Sequence, residues 1–424
     1  MARVILGVGA GVAAYKACEL LRLLKEAGHS VRVVPTPDAL RFVGEPTWAA
    51  LSGEPVTTDV WTGVADVPHV RLGQSADLVL IAPATADVIA RAAAGLSGDL
   101  LTATLLTARC PVVYAPAMHT EMWEHPATQD NVATLRRRGA VVIEPAVGRL
   151  TGKDSGAGRL PEPSELFALA EKILGYRTNA RQSLAGRRVL ISAGGTREEL
   201  DPVRFLGNWS TGRQGYAFAR SAVARGADVT LVAANVELPD PAGAKVVRVV
   251  SARDMHAAML AAAPAADIIV MTAAVADFRP AARADQKIKK DGRLPEPIAL
   301  TENPDILADL SARRVERGPA DPTAGLPGNA GPHVRSDVER GSAGQLVVGF
   351  AAETNPDLDA ARAKLARKGC DLLVVNPVGG GLGFGAGDNE AVVLGADGSV
   401  TPISRRSKDA LADSVWDLVA ARLI

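Results

Sequence analysis

Twice along this chain an apolar β-type run ends in a glycine turn and gives way to a helical pattern, and both times the alternation then repeats. The first run is residues 3 to 9 (RVILGVG), after which Ala13 to Ala27 places alanine and leucine at helical spacing and closes at Gly28. Val31-Arg32-Val33-Val34 reads as the next strand. Leu78-Val79-Leu80-Ile81, Val112-Val113-Tyr114 and Val141-Val142-Ile143 follow, with an alanine-rich helix and another ending near Arg138-Gly139 between them. Short apolar strands alternating with helices imply a parallel sheet covered on both faces. From about Tyr176 to Gly186 the chain is polar, and the pattern restarts at Arg188-Val189-Leu190-Ile191-Ser192 with a new glycine turn. It repeats at Val229-Thr230-Leu231-Val232, Ile268-Ile269-Val270-Met271, Leu346-Val347-Val348-Gly349 and Leu372-Leu373-Val374-Val375. The expected fold is α/β, two doubly wound parallel-sheet (Rossmann-like) domains over 1–178 and 186–424. Between about Glu316 and Gly344 the chain is rich in Gly, Pro and charge without periodicity, and reads as a disordered surface insertion.

With 424 residues, 47% of them hydrophobic, the chain can bury two cores of ordinary size. Lys plus Arg and Asp plus Glu both number 47, so the net charge is zero and no overall basic field recommends nucleic acid or an anionic membrane as partner. Small anionic ligands remain open through local clusters. Cys18, Cys110 and Cys370 are odd in number and widely spaced, which gives neither a disulfide framework nor a metal-ligand spacing and fits a reducing cytoplasm. No apolar run approaches the roughly 20 residues of a membrane span, and the first residues enter a strand without the regions of a signal peptide. A soluble, cytoplasmic protein is the expectation.

The first glycine loop, Gly7-Val8-Gly9-Ala10-Gly11, invites a nucleotide reading, because strand, glycine turn and helix N-terminus present free backbone N–H groups to an anion. A dinucleotide site also wants an acid at the end of the second strand. Here that strand runs Val33-Val34-Pro35-Thr36-Pro37, with the Thr36 hydroxyl in that place. This favours a mononucleotide phosphate such as FMN over NAD, while a tight turn that binds nothing stays open on the loop alone. The second half carries a longer series: Gly194-Gly195-Thr196-Arg197-Glu198, Asp201-Pro202-Val203-Arg204, Gly207-Asn208, Ser210-Thr211-Gly212, Ala273-Ala274-Val275-Ala276-Asp277 and Lys287-Ile288-Lys289-Lys290. Glycine turns, an acidic residue and a lysine cluster in that order suit a nucleotide-activating ligase, although a lone KIKK is more often a solvated basic face.

Further elements carry a resemblance. Gly11-Val12-Ala13-Ala14-Tyr15-Lys16, Pro37 to Phe42, His69 ahead of Ala76-Asp77-Leu78, Pro83-Ala84-Thr85-Ala86-Asp87, Pro116-Ala117-Met118 with Met122-Trp123, and Gly156-Ala157-Gly158-Arg159 resemble the flavin-containing cysteine decarboxylases. With the second half included, nearly the whole chain outside the insertion resembles the bacterial bifunctional phosphopantothenoylcysteine decarboxylase/phosphopantothenate–cysteine ligases of coenzyme A synthesis. The resemblance implies a flavodoxin-like FMN domain followed by a CTP-dependent ligase domain. In the first, FMN is implied to accept a hydride, CO2 leaves to give an ene-thiolate, and the hydride returns. His69 matches the active-site histidine, although residue type alone suggests a satisfied histidine at a strand end. Ala84, Thr85 and Asp87 match the flavin-contacting loop, and Gly9, Gly11 and Thr36 belong to the phosphate turn; Thr85 and Asp87 also suit an ordinary helix N-cap.

In the second domain the resemblance implies that CTP, with Mg2+ as counter-ion, activates 4'-phosphopantothenate and that cysteine's amine then attacks. Asn208 and Arg204 match residues that hold the substrate and the acyl-cytidylate, and Lys287 matches the one that consumes this intermediate. Met271, Thr272, Ala273, Asp277, Phe350, Lys364 and Lys368 match nucleotide-site positions, as does the turn Pro304, Asp305, Ile306, Leu307. A homo-oligomer is implied as well, with trimers through the decarboxylase domain and dimers through the ligase domain, which combine in a dodecamer.

Two positions depart from the pattern. Where the family has an Asn that holds the substrate carboxylate, this chain has His119. Where many members have a cysteine that protonates the ene-thiolate, it reads Thr151-Gly152-Lys153. Cys110 and Cys18 read as packed small hydrophobes and not as replacements. A functional ligase fused to an impaired decarboxylase that serves as an FMN-binding scaffold is therefore the alternative reading, and a nicotinamide-dependent reductase a distant third.

Overall fold

The computed structural model describes residues 1–62, 67–150, 154–176, 182–289, 297–314, 344–354, 357–378 and 387–423. Thr151, Gly152, Lys153, Lys290 and the insertion apart from Gly344 lie outside the described residues. Two compact units form. One comprises Met1–Arg187, Tyr216–Leu231 and Glu237–Val247; the other comprises Arg188–Gly215, Val232–Val236 and Arg248–Ile424. No helix among the described residues is long and apolar enough to cross a membrane.

The chain opens with β1 (Arg3–Val8), α1 (Ala14–Glu26), β2 (Ser30–Pro35), α2 (Glu45–Ser52), α3 (Pro68–Ser75), β3 (Leu78–Ala84), α4 (Ala86–Ala94) and α5 (Leu100–Thr107). It continues with β4 (Val112–Pro116), α6 (Thr120–Glu124), α7 (Pro126–Arg137), β5 (Val141–Val142), the hairpin β6 (Ala146–Arg149) and β7 (Ser155–Arg159), and α8 (Pro163–Gly175). The sheet runs β2-β1-β3-β4-β5 and every pair in it is parallel. All of β3 is buried, the pattern of a strand with helices on both of its faces. α1 buries Ala14, Ala17, Leu20, Leu21 and Leu24, the one-sided spacing that docks a helix on such a sheet. The chain steps from β1 to β2 and returns with β3 on the other side of β1. This strand order is flavodoxin-like, and its switch point lies at the carboxyl ends of β1 and β3, where such sheets open a crevice for ligands.

From residue 188 the chain forms β8 (Arg188–Gly194), β9 (Arg197–Asp201), β10 (Arg204–Gly207), α9 (Arg213–Ala224), β11 (Asp228–Ala234), β12 (Ala244–Val249), α10 (Ala252–Ala262) and β13 (Ile268–Met271). Then come β14 (Phe278–Pro280), β15 (Leu300–Glu302), α11 (Ile306–Ala312), β16 (Leu346–Glu353), α12 (Leu358–Lys368), β17 (Leu372–Pro377), β18 (Asp388–Gly395), β19 (Val400–Ser407) and α13 (Lys408–Ala420). Strands β8-β13-β16-β17-β18-β19 are neighbours in an eight-stranded sheet. β13 pairs in parallel with β8 and β16, and β16 with β17, as the apolar runs predict. The edge differs: β17, β18 and β19 are antiparallel, so this sheet is mixed. β9–β10 and β14–β15 form separate two-stranded sheets.

The turn after β8 shows why glycine stands there. Gly194 has φ 90° and a Cβ on it would meet the Ala234 carbonyl oxygen at 2.0 Å. Asn235, itself left-handed at φ 52°, donates from Nδ2 to the carbonyls of Gly195 and Val250, both at 2.9 Å. In a dinucleotide-binding sheet the end of this strand would hold a ribose; here the side chain is spent on backbone. Gly194→Ala is expected to lose roughly 2 kcal/mol or more from backbone strain alone. Gly175→Ala, at a position with open space and no left-handed φ, should stay within about 0.5 kcal/mol of wild type. Chemical denaturation of both variants checks the contrast.

Candidate active sites

In the first unit, the backbone gathers the predicted phosphate turn at the switch point. Gly9 N donates to Pro83 O at 2.9 Å, Thr36 N to Val8 O at 2.9 Å, and Ala117 N to Ala84 O at 3.1 Å, which draws the ends of four strands together. A Cβ on Gly9 would lie 2.7 Å from Pro83 O, so only glycine lets this turn approach β3. Gly11 has nothing within 4 Å of the equivalent position and leaves its side of the turn open. The Thr36 hydroxyl is buried and has no hydrogen-bond partner. An orphaned hydroxyl beside a glycine turn at a helix start fits a phosphate, and so fits FMN.

Thr85 caps α4, its hydroxyl accepting from Val88 N at 3.4 Å. Asp87 pairs with Arg91 one turn along the same helix at 2.8 Å. Both therefore fill the ordinary N-terminal roles, and this leaves Thr85 at the crevice by position. His69 stands in the first turn of α3, not at a strand end. α3 packs closely on α5 because Gly73 leaves room for Thr107, whose hydroxyl donates to His69 O at 2.7 Å. The His69 Nδ1 is buried without a partner. α3 leads straight into β3, so its first turn lies toward the carboxyl edge of the sheet.

His119 leaves β4 at that same edge, exposed, as the N-cap residue of α6. The β6–β7 hairpin is laid against it: Met118 N donates to Gly158 O at 3.0 Å, and a Cβ on Gly158 would strike Met118 O at 2.1 Å. Gly156 likewise makes room for the Thr120 hydroxyl. Glu162 anchors the end of the hairpin through Lys16 at 3.1 Å and Arg159 at 2.5 Å. The Gly152 position expected to lack the proton donor lies outside the described residues. Cys18 and Cys110 are half-buried, and burial pushes the Cys18 thiol up, as suits packed hydrophobes.

The second unit holds a cleft of about 640 Å³. Its lining includes Asn208, Met271, Thr272, Ala273, Asp277, Pro304, Asp305, Ile306, Leu307, Phe350, Lys364 and Lys368. These predicted positions, on β13, α11, β16, α12 and the turns between elements, are thus brought together. Its floor is the end of β13, where Thr272 donates to Ser192 O at 2.6 Å and Ala274 N to Gly194 O at 2.8 Å. Asn208 Nδ2 joins from the rim, 3.0 Å from Ala274 O. Asp305 caps α11 through Ala308 N at 3.1 Å and pairs with Lys368, while Lys364 pairs with Glu353 at 3.0 Å. Burial would raise the Asp305 carboxyl, but Lys368 and the Ala308 N–H hold it below its ordinary value.

Arg204 and Lys287 do not line this cleft; they stand together beside it. Arg204, on β10, donates to Ile288 O at 3.2 Å, and both Arg204 and Lys287 are exposed. Sequence reasoning missed Asn303, Asn376, Asn389 and Lys408 in the lining. Lys408 is 7% exposed at the start of α13, where burial and the charge of Arg213 lower its pKa. A single lysine in an Arg-Arg-Ser-Lys run carries no spacing signal that could have found it.

The two halves match two family models. Residues 1–175 match the Flavoprotein family, and residues 184–319 and 331–423 match the DNA/pantothenate metabolism flavoprotein C-terminal domain. The coenzyme A biosynthesis bifunctional protein CoaBC of Mycobacterium tuberculosis is 56% identical over 99% of this chain and 97% of its own length. The Vibrio cholerae CoaBC is 41% identical over 98% and 97%. The chain belongs to the CoaBC family. It is a bifunctional enzyme of coenzyme A biosynthesis, decarboxylase and ligase in one polypeptide, and its first half is a flavoprotein domain. Among solved structures, the C-terminal domain of a CoaBC is 31% identical and covers 57% of this chain and 98% of its own, with a TM-score of 0.43. The FMN-binding protein AtHal3 is 30% identical, covering 40% of this chain and 95% of its own at a TM-score of 0.36.

Proposed function

We propose that the first half, over 1–178, is an FMN-dependent phosphopantothenoylcysteine decarboxylase and the second, over 186–424, a CTP-dependent phosphopantothenate–cysteine ligase that works through an acyl-cytidylate. The observation that carries the ligase reading is the single cleft into which residues matched one by one to a nucleotide site converge. A carboxylate is a poor acyl donor until its oxygen becomes a leaving group. Attack of the 4'-phosphopantothenate carboxylate on the α-phosphorus of CTP supplies this, with pyrophosphate expelled. Cysteine's amine then attacks the acyl carbon, and CMP leaves as the amide forms. Lys364 and Lys368 face the triphosphate in this scheme, Asp277 and the turn at Pro304–Leu307 the nucleoside, and Asn208 and Arg204 the acyl group. Mg2+ enters as counter-ion of the triphosphate, its usual mode of binding.

For the decarboxylase, the orphaned Thr36 hydroxyl and the side of the turn that Gly11 leaves open hold the FMN phosphate, and the Ala84–Thr85 turn meets the flavin. FMN, when bound, supplies the electron sink that loss of CO2 needs. His69 is the active-site histidine. His119 in its protonated form grips the substrate carboxylate by a charge-assisted hydrogen bond, roughly twice as strong as the neutral one an asparagine makes. Once CO2 has left, the same group is the proton donor to the ene-thiolate, which supplies what the position at Gly152 lacks. We further place the enzyme in the cytoplasm as a homo-oligomer, trimeric through the decarboxylase half and dimeric through the ligase half, in a dodecamer. Exposed Val203, Phe205 and Trp209, the last 90% accessible, support pairing through the arm after β9.

Two variants test the assignments. Lys287→Gln is expected to release pyrophosphate once per site yet block amide formation, so acyl-cytidylate should accumulate in quenched reactions followed by mass spectrometry. Loss of CTP binding with no pyrophosphate would make Lys287 a triphosphate anchor instead. His119→Asn is expected to stall at the oxidised product with reduced flavin accumulating; saturated phosphopantetheine from that variant would sink the role of His119 as acid.

A further inference from the structure

The Asp201 side chain is wholly buried, 0% exposed, between the two segments that carry Arg204 and Lys287. Its Oδ1 accepts from Val203 N at 2.8 Å, which is the bond an Asp makes in any local turn of this kind. Its Oδ2 does something a turn does not require. It accepts from Ile288 N at 3.2 Å and faces the Arg204 guanidinium at 3.4 Å, and Arg204 in turn donates to Ile288 O at 3.2 Å. One oxygen thus closes a ring that joins β10 to a segment more than eighty positions on in sequence, one residue from Lys287. Neighbouring ties run the same way: Ala284 N donates to Leu200 O at 3.0 Å, and Arg283 pairs with Glu199 at 2.6 Å. Those ties are made by β9, the strand paired with β10. Burial would raise the Asp201 carboxyl, yet the N–H groups of Val203 and Ile288 and the charge of Arg204 keep it below its ordinary value, so it stays ionised.

We propose that Asp201 is a positioning residue of the ligase, whose buried second oxygen fixes Lys287 and Arg204 in one mutual geometry so that they act as a unit. The proposal rests on the reading that these two residues serve the ligase reaction. It follows from the exposure of both working side chains. Ordering an exposed side chain and its segment on a ligand costs entropy; the ring already holds the Arg204 guanidinium and the backbone next to Lys287, so that part of the cost is met on folding. Nothing else in the ring is ionic and buried.

Asp201→Asn separates the two oxygens. The amide oxygen can keep the turn bond to Val203 N, but the amide nitrogen cannot accept from Ile288 N and no longer attracts Arg204. Pyrophosphate release and amide formation are measured for Asp201→Asn, Lys287→Gln and the double variant, with thermal denaturation of each full-length protein as the control for folding. Asp201→Asn is expected to slow, by about tenfold or more, the same step that Lys287→Gln slows, because the interaction lost is a charge-assisted one. The double variant should be no slower than Lys287→Gln alone, the non-additivity of one network. If Lys287→Gln turns out to stop pyrophosphate release, the assignment of Lys287 fails, while an Asp201→Asn defect at that same step still supports the coupling. Losses that multiply, a defect at a different step, or no defect overturn the proposal. Asp201→Glu, which keeps the charge, should recover part of the rate; loss of the cooperative thermal transition of the ligase half in both Asp201 variants would make Asp201 a folding residue and overturn it too.

Discussion

A glycine pressed against the carbonyl of a neighbouring strand sets the geometry of both halves. In the first, Gly9 sits where a Cβ would be 2.7 Å from Pro83 O, and its own N–H bonds that oxygen at 2.9 Å. Without that approach the turn after β1 could not be drawn onto the end of β3, and Thr36, Ala84 and Thr85 would not share a crevice. In the second, Gly194 approaches Ala234 O more closely still, and the floor of the cleft is then hydrogen-bonded to it through Ala274. The parallel strands of each sheet give both candidate sites their place, at the carboxyl ends of those strands. The glycines give them their shape.

Around the cleft of the second unit the next layer of order is polar. Buried Glu198 accepts from Ala252 N at 2.8 Å at the start of α10, Asn303 Nδ2 donates to Ala276 O at 2.9 Å, and Asp201 closes its ring to Ile288. Such groups are costly to bury unless satisfied, so each fixes its segment in one arrangement. The cleft's lysines are held differently. Lys364 and Glu353 are 30% and 36% exposed in their side chains, a setting in which an ion pair contributes only about 0.2–1 kcal/mol. Under the proposed ligase reading, a triphosphate with more charge and more acceptor oxygens would displace the Glu353 carboxylate. Lys364 is therefore pre-positioned by a bond weak enough to exchange.

Much of this was legible in the chain. The apolar runs located the parallel strands because burial on both faces leaves little choice of residue, and the one-by-one match placed the cleft residues because glycine turns and proline-bounded loops sit at fixed points of the sheet. What was not legible has physical reasons. In the β18–β19 hairpin, β18 alternates exposed and buried residues at its start and β19 buries only Ile403, a weaker apolar pattern than that of the parallel strands. His69 followed Pro68 into a helix of only 8 residues, too short for its periodicity to show. Lys408 stands at the junction of β19 and α13, where its carbonyl accepts from Gln214 Nε2 at 3.2 Å across 194 positions, a contact that no local spacing encodes. Asp201 was visible as part of a motif, but its bond to Ile288 spans 87 positions and exists only in the fold.

The central claim is that two chemistries are carried by separate sets of residues on one chain. It is tested most directly by assaying both half-reactions on a single preparation of His69→Asn. CO2 release should be abolished while CTP-dependent amide formation stays near wild type, since sites with no shared partners rarely couple. Equal loss of both activities would contradict the account and place the division of labour somewhere other than the polar stretch near residues 176 to 186.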